Sequence, residues 1–220
     1  MSAKIFARCG RVSIRRFRRS DLQERLLWPP YMDSFFTHLN YPLGTFIERE
    51  KWLFARTVNA GRMYFAAEDE NGKLIGEMSL REIDAAEKGS RLGIHMASNK
   101  TDQGYGREAL SALLIHYFGE MDYSVMYLDV AAFNFRALHL YESLHFEHLS
   151  PFWRRILDFD LKDVPIFTEP KYGGIRRFFR GGMNLECLYY DMLLTKERYL
   201  QALPSAKQTG RGPVTGTAEK

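Results

Sequence analysis

A glycine-containing stretch at residues 99–110, Asn-Lys-Thr-Asp-Gln-Gly-Tyr-Gly-Arg-Glu-Ala-Leu, constrains this chain more than any other segment. It follows a strand-like run and opens a helix-like one. Gly104 and Gly106 let the backbone approach a ligand where a Cβ atom would block it. The helix that starts here directs free N–H groups and the positive end of its dipole to the same place. The stretch therefore predicts a binding site for a phosphate or pyrophosphate group.

The pattern of apolar residues predicts alternating strands and helices on both sides of this loop. Strands are predicted at residues 12–17, 63–68, 73–83, 91–97, 125–131, 146–154 and 186–194, and helices at 22–27, 46–59, 104–119 and 134–144. Asn71-Gly72 is the strongest hairpin signal in the chain, so the strands beside it are expected to pair antiparallel. The loop itself lies in a β-α-β crossover. The predicted fold class is therefore α/β, with a mixed, mostly antiparallel central sheet flanked by helices.

Two of the predicted helices carry clear start signals. Thr45 with Glu48 three residues later is a capping box for the helix at 46–59, and Asn134 is a good cap for the helix at 134–144. The apolar residues of the first helix fall roughly on one face, as in a helix that packs on a core. They are Phe46, Leu53, Phe54 and Val58.

Length and composition are those of a globular domain. The 220 residues are 45% hydrophobic, and we expect one domain over residues 11–200, with an extra segment at 156–183 and a disordered tail at 204–220. No apolar run of about 18 residues occurs, which excludes a membrane-spanning helix. The N-terminus lacks an apolar signal core, and Cys9 and Cys187 lie far apart. We therefore expect a cytoplasmic protein without a disulfide framework or a metal site.

The net charge of +4 is modest but unevenly placed. Residues 1–19 hold seven basic side chains and no acidic one, and a second basic cluster lies at 171–180. Such patches bind nucleic acid or anionic ligands in some proteins and are simply solvated in others. An RNA-binding role is therefore an alternative, and the solvated surface is the simpler interpretation.

Three motifs, taken together in their order along the chain, resemble the GNAT superfamily, the acetyl-CoA-dependent N-acetyltransferases. Gly104–Leu110 resembles the pyrophosphate loop of that family, and Asn134–Phe146 is similar to its Asn-x-x-Ala-x-x-x-Tyr helix with the step that follows. Leu74–Glu77 is similar to the entry of its central hairpin. The resemblance covers residues 11–154 and resumes at 186–200, and it is closest to the branch that acetylates ribosomal-protein N-termini and to small-amine relatives. It implies the acyl-CoA N-acyltransferase fold, acetyl-CoA as co-substrate and a primary amine as acceptor.

The resemblance also implies roles for individual residues. Direct attack of a deprotonated amine on the thioester needs a base, a group that polarises the carbonyl and an acid for the leaving thiolate. Tyr141 matches the family position of that acid. For the base we favour Glu77, with His95 second because an imidazole titrates near neutrality, and a water chain without a single base is a third alternative. The residues expected to bind the cofactor are Met96, Gln103, Gly104, Tyr105, Gly106, Arg107 and Asn134.

Two departures from the family pattern stand out. Thr101 and Asp102 occupy the loop start, where the family usually has Arg or Gln and then Gly. Asp102 is unfavourable near a pyrophosphate unless it points away, caps the helix, or is offset by Lys100 and Arg107. His145 stands where the family prefers glycine, and a left-handed conformation there would cost energy.

Segment 156–183 is extra and rich in aromatic and basic residues. Long connections in compact domains are usually functional or disordered, and we expect a substrate lid or an arm that forms a homodimer. Two other functions compete with acetyl transfer. One is a dinucleotide-binding oxidoreductase, since Gly104, Gly106 and Ala109 fit its glycine fingerprint. The other is a non-catalytic acyl-CoA- or RNA-binding module on the same fold.

Overall fold

A sheet of nine strands organises the residues that the computed structural model describes, namely 4–40, 44–58, 61–156, 164–181 and 184–203. The strands are β1 (Ile5–Cys9), β2 (Val12–Arg16), β3 (Met63–Glu68), β4 (Leu74–Asp84), β5 (Gly89–Met96), β6 (Val125–Ala131), β7 (Glu147–Arg155), β8 (Phe179–Arg180) and β9 (Glu186–Thr195). The helices are α1 (Asp21–Arg25), α2 (Phe46–Thr57), α3 (Tyr105–Ile115), α4 (Phe135–Ser143) and α5 (Lys196–Ala202).

The strand order is β1-β2-β3-β4-β5-β6-β9-β7, with β8 paired to β9. Among the described strands, every neighbouring pair is antiparallel except β5 and β6, which are parallel. The predicted α/β class with a mixed, mostly antiparallel sheet is therefore confirmed. The prediction missed β1 and α5, so the sheet begins at Ile5, before the predicted domain start.

The parallel pair separates soon after it forms. Only Gly89 to Arg91 pair with residues 125–127, although β5 continues to Met96 and β6 to Ala131. No described strand covers this side of β5 beyond Arg91. The peptide groups of that part of β5 are thus open to a ligand instead of a neighbouring strand.

Helix α2 begins as predicted but packs differently. The hydroxyl of Thr45 accepts from the Glu48 amide at 3.3 Å, and the Glu48 carboxylate accepts from the Thr45 amide at 2.6 Å, so the capping box is present. Leu53 is buried, whereas Phe46, Phe54 and Val58 are 60–65% exposed. The predicted apolar face is therefore wrong, because the helix meets the sheet along a narrower line through Leu53.

Ion pairs engage several basic residues of the N-terminal cluster. Arg15 is buried and holds Asp21 and Glu68 at 2.7 and 2.6 Å. Arg11 pairs with Glu108 at 2.6 Å. These contacts tie β2 and the β1–β2 turn to the helices. Part of the basic charge in this cluster is therefore neutralised by acidic side chains within the fold.

The described part of segment 156–183 packs as a second small core. Ile166, Phe178 and Phe179 are buried against Phe35 and Phe133. Residues 157–163 and 182–183 lie outside the described residues, as does the predicted tail at 204–220. A role of this segment as a lid or dimer arm stays a prediction.

Candidate active site

A groove of about 390 Å³ lies between the end of β5, the start of α3 and helix α4. We call it the α3–α4 groove. Most of the residues that the sequence analysis assigned to cofactor binding or catalysis line this groove. They are Met96, Gly104, Gly106, Arg107, Asn134, Tyr141 and His95.

The loop that enters α3 has the backbone that its glycines predict. Gly104 precedes the helix with φ of +85°, a left-handed conformation that favours glycine. A Cβ atom on Gly106 would lie 3.7 Å from Met96 and 3.8 Å from Leu140, which is ordinary contact. The protein itself therefore has room for a Cβ atom at Gly106, and the absence of one matters only for a ligand in the groove.

The side chains of Gln103 and Tyr105 are not brought to the groove. Tyr105 is buried in the main core, and the Arg11 guanidinium lies 4.0 Å from its ring centre. Gln103 uses its Nε2 to donate to the Asn99 carbonyl at 2.7 Å. Arg11, in the β1–β2 turn that the sequence analysis missed, also donates to the Gln103 carbonyl at 2.8 Å. Neither side chain lines the groove.

Arg136 offsets the charge of Asp102. Its Nη1 lies 3.3 Å from Asp102 Oδ2, and both side chains are at the rim of the groove. Of the three alternatives drawn from the sequence, offset by Lys100 and Arg107 is the one that their contacts do not support. Lys100 pairs with Asp69 at 3.2 Å, and Arg107 donates to the Ser143 hydroxyl at 2.6 Å.

Both ends of α4 follow their sequence signals. Asn134 accepts from the Ala137 amide at 3.2 Å, so it caps the helix while it lines the groove. His145 has φ of +67°, as its place at a glycine position predicted. The His145 amide donates to the Glu142 carbonyl and the Phe146 amide to the Tyr141 carbonyl, which completes a Schellman motif.

Tyr141 lines the groove from α4 and is 7% exposed. Burial raises the pKa of its phenol, and the charge of Asp129 adds to this effect. The hydroxyl therefore keeps its proton at neutral pH and can donate a hydrogen bond. A donor is what a leaving thiolate needs.

A second cavity, of about 610 Å³, lies beside β4 and β5. We call it the Glu77 cavity. Glu77 and His95 face each other across β4 and β5, with Oε1 and Nδ1 3.1 Å apart. Arg25 Nε lies 3.4 Å from Glu77 Oε2. Burial acts to raise the pKa of Glu77, but the His95 hydrogen bond and the Arg25 charge outweigh it and hold that pKa below its ordinary value.

The contacts of His95 select one tautomer. An unprotonated Nδ1 would direct its lone pair at the ionised Glu77, whereas a protonated Nδ1 donates to it. Arg25 Nη2 has two N–H groups: one donates to the Leu39 carbonyl at 3.1 Å, and the other lies 3.2 Å from the same Nδ1, where it could donate only in the opposite tautomer. We assign the proton to Nδ1 because the Glu77 carboxylate, which can only accept, lies at the shorter distance of 3.1 Å. This leaves a lone pair on Nε2, which is buried and has no hydrogen-bond partner among the described residues.

The two cavities meet at β5. Leu39, Ile94 and His95 line both of them. His95 thus lies where a ligand in the groove would meet a ligand in the Glu77 cavity. Tyr31 supports this region by donating its hydroxyl to the Met96 carbonyl at 2.9 Å.

Sequence reasoning missed several side chains that line the Glu77 cavity. These are Arg25, Trp52, Arg56, Arg62 and Tyr64. One signal was available, since Trp52 and Arg56 are four residues apart on α2 and share a face. The Arg56 guanidinium lies 4.0 Å from the Trp52 ring centre. The other residues come from separate elements, and no local pattern links them.

The described residues contain no group of three His, Cys, Asp or Glu side chains placed to hold a metal ion. None of their helices combines the length and apolar character needed to cross a membrane.

The model of one protein family, described as Acetyltransferase (GNAT) family, matches residues 23–146. This is more than half of the 220 residues. The chain belongs to the GNAT family. This is the family that the sequence motifs resembled. The alternative of a dinucleotide-binding oxidoreductase is therefore set aside.

Known GNAT proteins similar to this chain include a spermidine N(1)-acetyltransferase from Vibrio cholerae. It is 29% identical over 105 residues, which are 48% of this chain and 61% of that relative. The chain thus matches less than two thirds of the relative's length.

Solved structures of spermidine N-acetyltransferase from Vibrio cholerae share the fold. One, in complex with CoA and spermine, is 21% identical with a TM-score of 0.62, covering 86% of this chain and 98% of that one. A dodecameric structure is 22% identical with a TM-score of 0.59, covering 88% and 99%. At these identities the likeness confirms the fold alone.

Proposed function

We propose that this GNAT protein transfers an acetyl group from acetyl-CoA to a small primary amine by direct attack of the amine on the thioester. The observation that supports this most is the meeting of the two cavities at His95 on β5. The α3–α4 groove takes acetyl-CoA, and the Glu77 cavity takes the acceptor. The thioester is then exposed to the amine where the two spaces join.

The groove has the features that this co-substrate requires. The free N–H groups at the start of α3 and the left-handed Gly104 suit a pyrophosphate. Arg107 lines the groove and supplies positive charge. Asn134 lies beside the expected path of the pantetheine arm. The open edge of β5 near Met96 offers peptide N–H groups to polarise the thioester carbonyl.

His95 is the better base of the two candidates. Glu77 is buried, its pKa is low, and its oxygens face His95 and Arg25. His95 lines both cavities, and its Nε2 is buried without a hydrogen-bond partner among the described residues, so its lone pair is not engaged. In this mechanism His95 takes the proton from the acceptor ammonium, and Glu77 orients the ring. This reverses the order of preference drawn from the sequence.

Tyr141 acts on the leaving group. Its phenol stays protonated and lies in the groove, so it donates a hydrogen bond to the developing thiolate of coenzyme A. As the C–N bond forms and the C–S bond breaks, Tyr141 gives its proton to the sulfur and is reprotonated with the proton that the attacking nitrogen loses, so the products are the N-acetyl amine and the free thiol of coenzyme A.

The acceptor class follows from relatives whose names give spermidine as substrate. A dodecameric relative is also known, and a homodimer stays a prediction for this chain. Binding of nucleic acid has no support from the site and stays an untested alternative.

The test is release of free thiol from acetyl-CoA with a panel of primary amines, with mass detection of the N-acetyl product. We expect turnover by the natural chain and a loss of about 10²–10⁴-fold in kcat for His95→Gln, the usual contribution of a general base. His148→Gln is the matched control, because His148 also contacts a glutamate, Glu142 at 2.8 Å, but lies outside both cavities. Acetyl-CoA binding without turnover of any amine would instead favour the non-catalytic module.

A further inference from the structure

The Glu77 cavity is strongly basic. Its charged lining consists of four arginines and one glutamate, a formal charge of +3 with His95 neutral. The four are Arg25, Arg56, Arg62 and Arg81. A site built for a polyamine would need carboxylates that face the ligand. This cavity offers the opposite charge.

Its one carboxylate is already engaged. Glu77 lies between His95, at 3.1 Å, and Arg25, at 3.4 Å. It is 6% exposed, so little of it reaches the cavity. A cationic tail on the acceptor would find only this paired carboxylate as a counter-charge among the described lining residues.

Two of the four arginines, Arg56 and Arg62, remain available to a ligand. The other two are engaged, since Arg81 pairs with Asp129 at 2.8 Å and Arg25 with Glu77 at 3.4 Å. Arg56 lies over the Trp52 ring and donates to the Trp52 carbonyl at 3.4 Å, and Arg62 is exposed just before β3. Among the described residues no carboxylate lies within 4.0 Å of Arg56 or Arg62.

The positions of these arginines also define an orientation. His95 lines both cavities, whereas Arg56 and Arg62 line only the Glu77 cavity. An acceptor with its amine at His95 would therefore direct its other end toward the two guanidinium groups. Guanidinium is the side-chain group that best matches carboxylate and phosphate. The volume of about 610 Å³ suits a small molecule.

We propose that the acceptor is a small primary amine that carries a carboxylate or phosphate group, and that Arg56 and Arg62 recognise this anionic group. The inference rests on the proposed acetyl transfer, since it assigns the acceptor of that reaction. It separates this chain from its spermidine-acetylating relatives by the charge of the acceptor tail.

The test compares acceptors of equal length with different tails. 4-Aminobutyrate, n-butylamine and 1,4-diaminobutane carry an anionic, a neutral and a cationic tail on the same four-carbon chain. O-phosphoethanolamine and ethanolamine form the corresponding phosphate pair. We expect kcat/KM to fall from the anionic to the neutral to the cationic acceptor, with at least about tenfold between the extremes, since one charge-assisted contact contributes that much.

Arginine variants then test whether Arg56 and Arg62 cause the preference for an anionic acceptor. Arg62→Gln and Arg56→Gln should each lower kcat/KM about tenfold for the preferred anionic amine and leave n-butylamine nearly unchanged. Arg19→Gln is the matched control, because Arg19 is exposed, pairs with Glu50 and lies outside both cavities. Far-UV circular dichroism checks that each variant is folded.

The outcomes distinguish a wrong assignment of the acceptor from a wrong assignment of acetyl transfer. Preference for 1,4-diaminobutane over 4-aminobutyrate, or an anionic preference that neither arginine variant reduces, overturns the assignment of the acceptor and leaves acetyl transfer intact. Absence of thiol release with all five amines overturns acetyl transfer to small amines, and this assignment with it.

Discussion

Asp21→Asn is expected to destabilise the protein far more than the loss of an exposed carboxylate would. Asp21 and Arg15 form a buried two-point contact, with Nη1 and Nη2 2.7 and 2.8 Å from the two carboxylate oxygens. Their side chains are 3% and 5% exposed. Burial acts to lower the pKa of Arg15, but the hydrogen bonds to Asp21 and Glu68 raise it above its ordinary value. The guanidinium is therefore charged at every relevant pH.

The size of the loss follows from this geometry. Removal of one partner from a buried ion pair costs about 3–5 kcal/mol. Glu68 still faces Arg15 in the variant, so we expect the lower end, about 3 kcal/mol. For a domain of this size that corresponds to a fall in Tm of about 6–12 °C.

Urea unfolding and thermal scans at neutral pH measure this loss. Glu50→Gln is the matched control, since Glu50 pairs with Arg19 at 2.9 Å but both side chains are partly or largely exposed. Such a pair contributes less than about 1 kcal/mol. A free-energy loss for Asp21→Asn below about 1 kcal/mol, or equal to that of the control, would refute the argument from burial.

Three further predictions follow from single positions. Gly104→Ala should cost about 1–2 kcal/mol and raise KM for acetyl-CoA, because φ there is +85°; Gly119→Ala, with no atom within 4 Å of the added Cβ, should do neither. His145→Gly should stabilise by about 0.5–1 kcal/mol in urea unfolding, because it relieves a left-handed histidine. Glu77 has a lowered pKa, so its stabilisation is present above the ordinary glutamate pKa of about 4.3 and is lost as pH falls through the folded value. The Tm of Glu77→Gln should therefore decline less than that of the natural chain between about pH 5 and 3, and an equal decline would contradict the shift.

Local signals in the sequence were sufficient to predict the loop and the helix ends. The capping box at Thr45, the left-handed Gly104 and the left-handed His145 all depend on a few neighbouring residues. Their backbone conformations are set within one turn of chain, so residue type predicts them well. The strands around Asn71-Gly72 were predictable for the same reason.

Contacts between distant segments were not predictable in this way. Nothing near Phe54 in the sequence indicates that α2 packs on the sheet through Leu53 and Trp52 and leaves Phe54 exposed. The pairing of Asp102 with Arg136 joins residues 34 positions apart. Arg25 reaches Glu77 only because α1 and β4 come together in the folded chain. Sequence patterns identified Glu77 and His95 as candidates, but which of them keeps a free lone pair depends on these non-local neighbours.

Helix α1 connects the buried Arg15–Asp21 ion pair to the residues of the candidate active site. Asp21 at its start is fixed to Arg15 of β2, and Arg25 at its end contacts Glu77. With five residues, α1 is too short to be stable through its own hydrogen bonds. The Arg15–Asp21 pair therefore holds Arg25 in place, Arg25 keeps Glu77 ionised, and Glu77 keeps the proton of His95 on Nδ1. If this chain of contacts is correct, Asp21→Asn lowers kcat even at temperatures where the variant is fully folded, whereas Glu50→Gln does not. Full activity of folded Asp21→Asn would show instead that Arg25 is positioned without this ion pair.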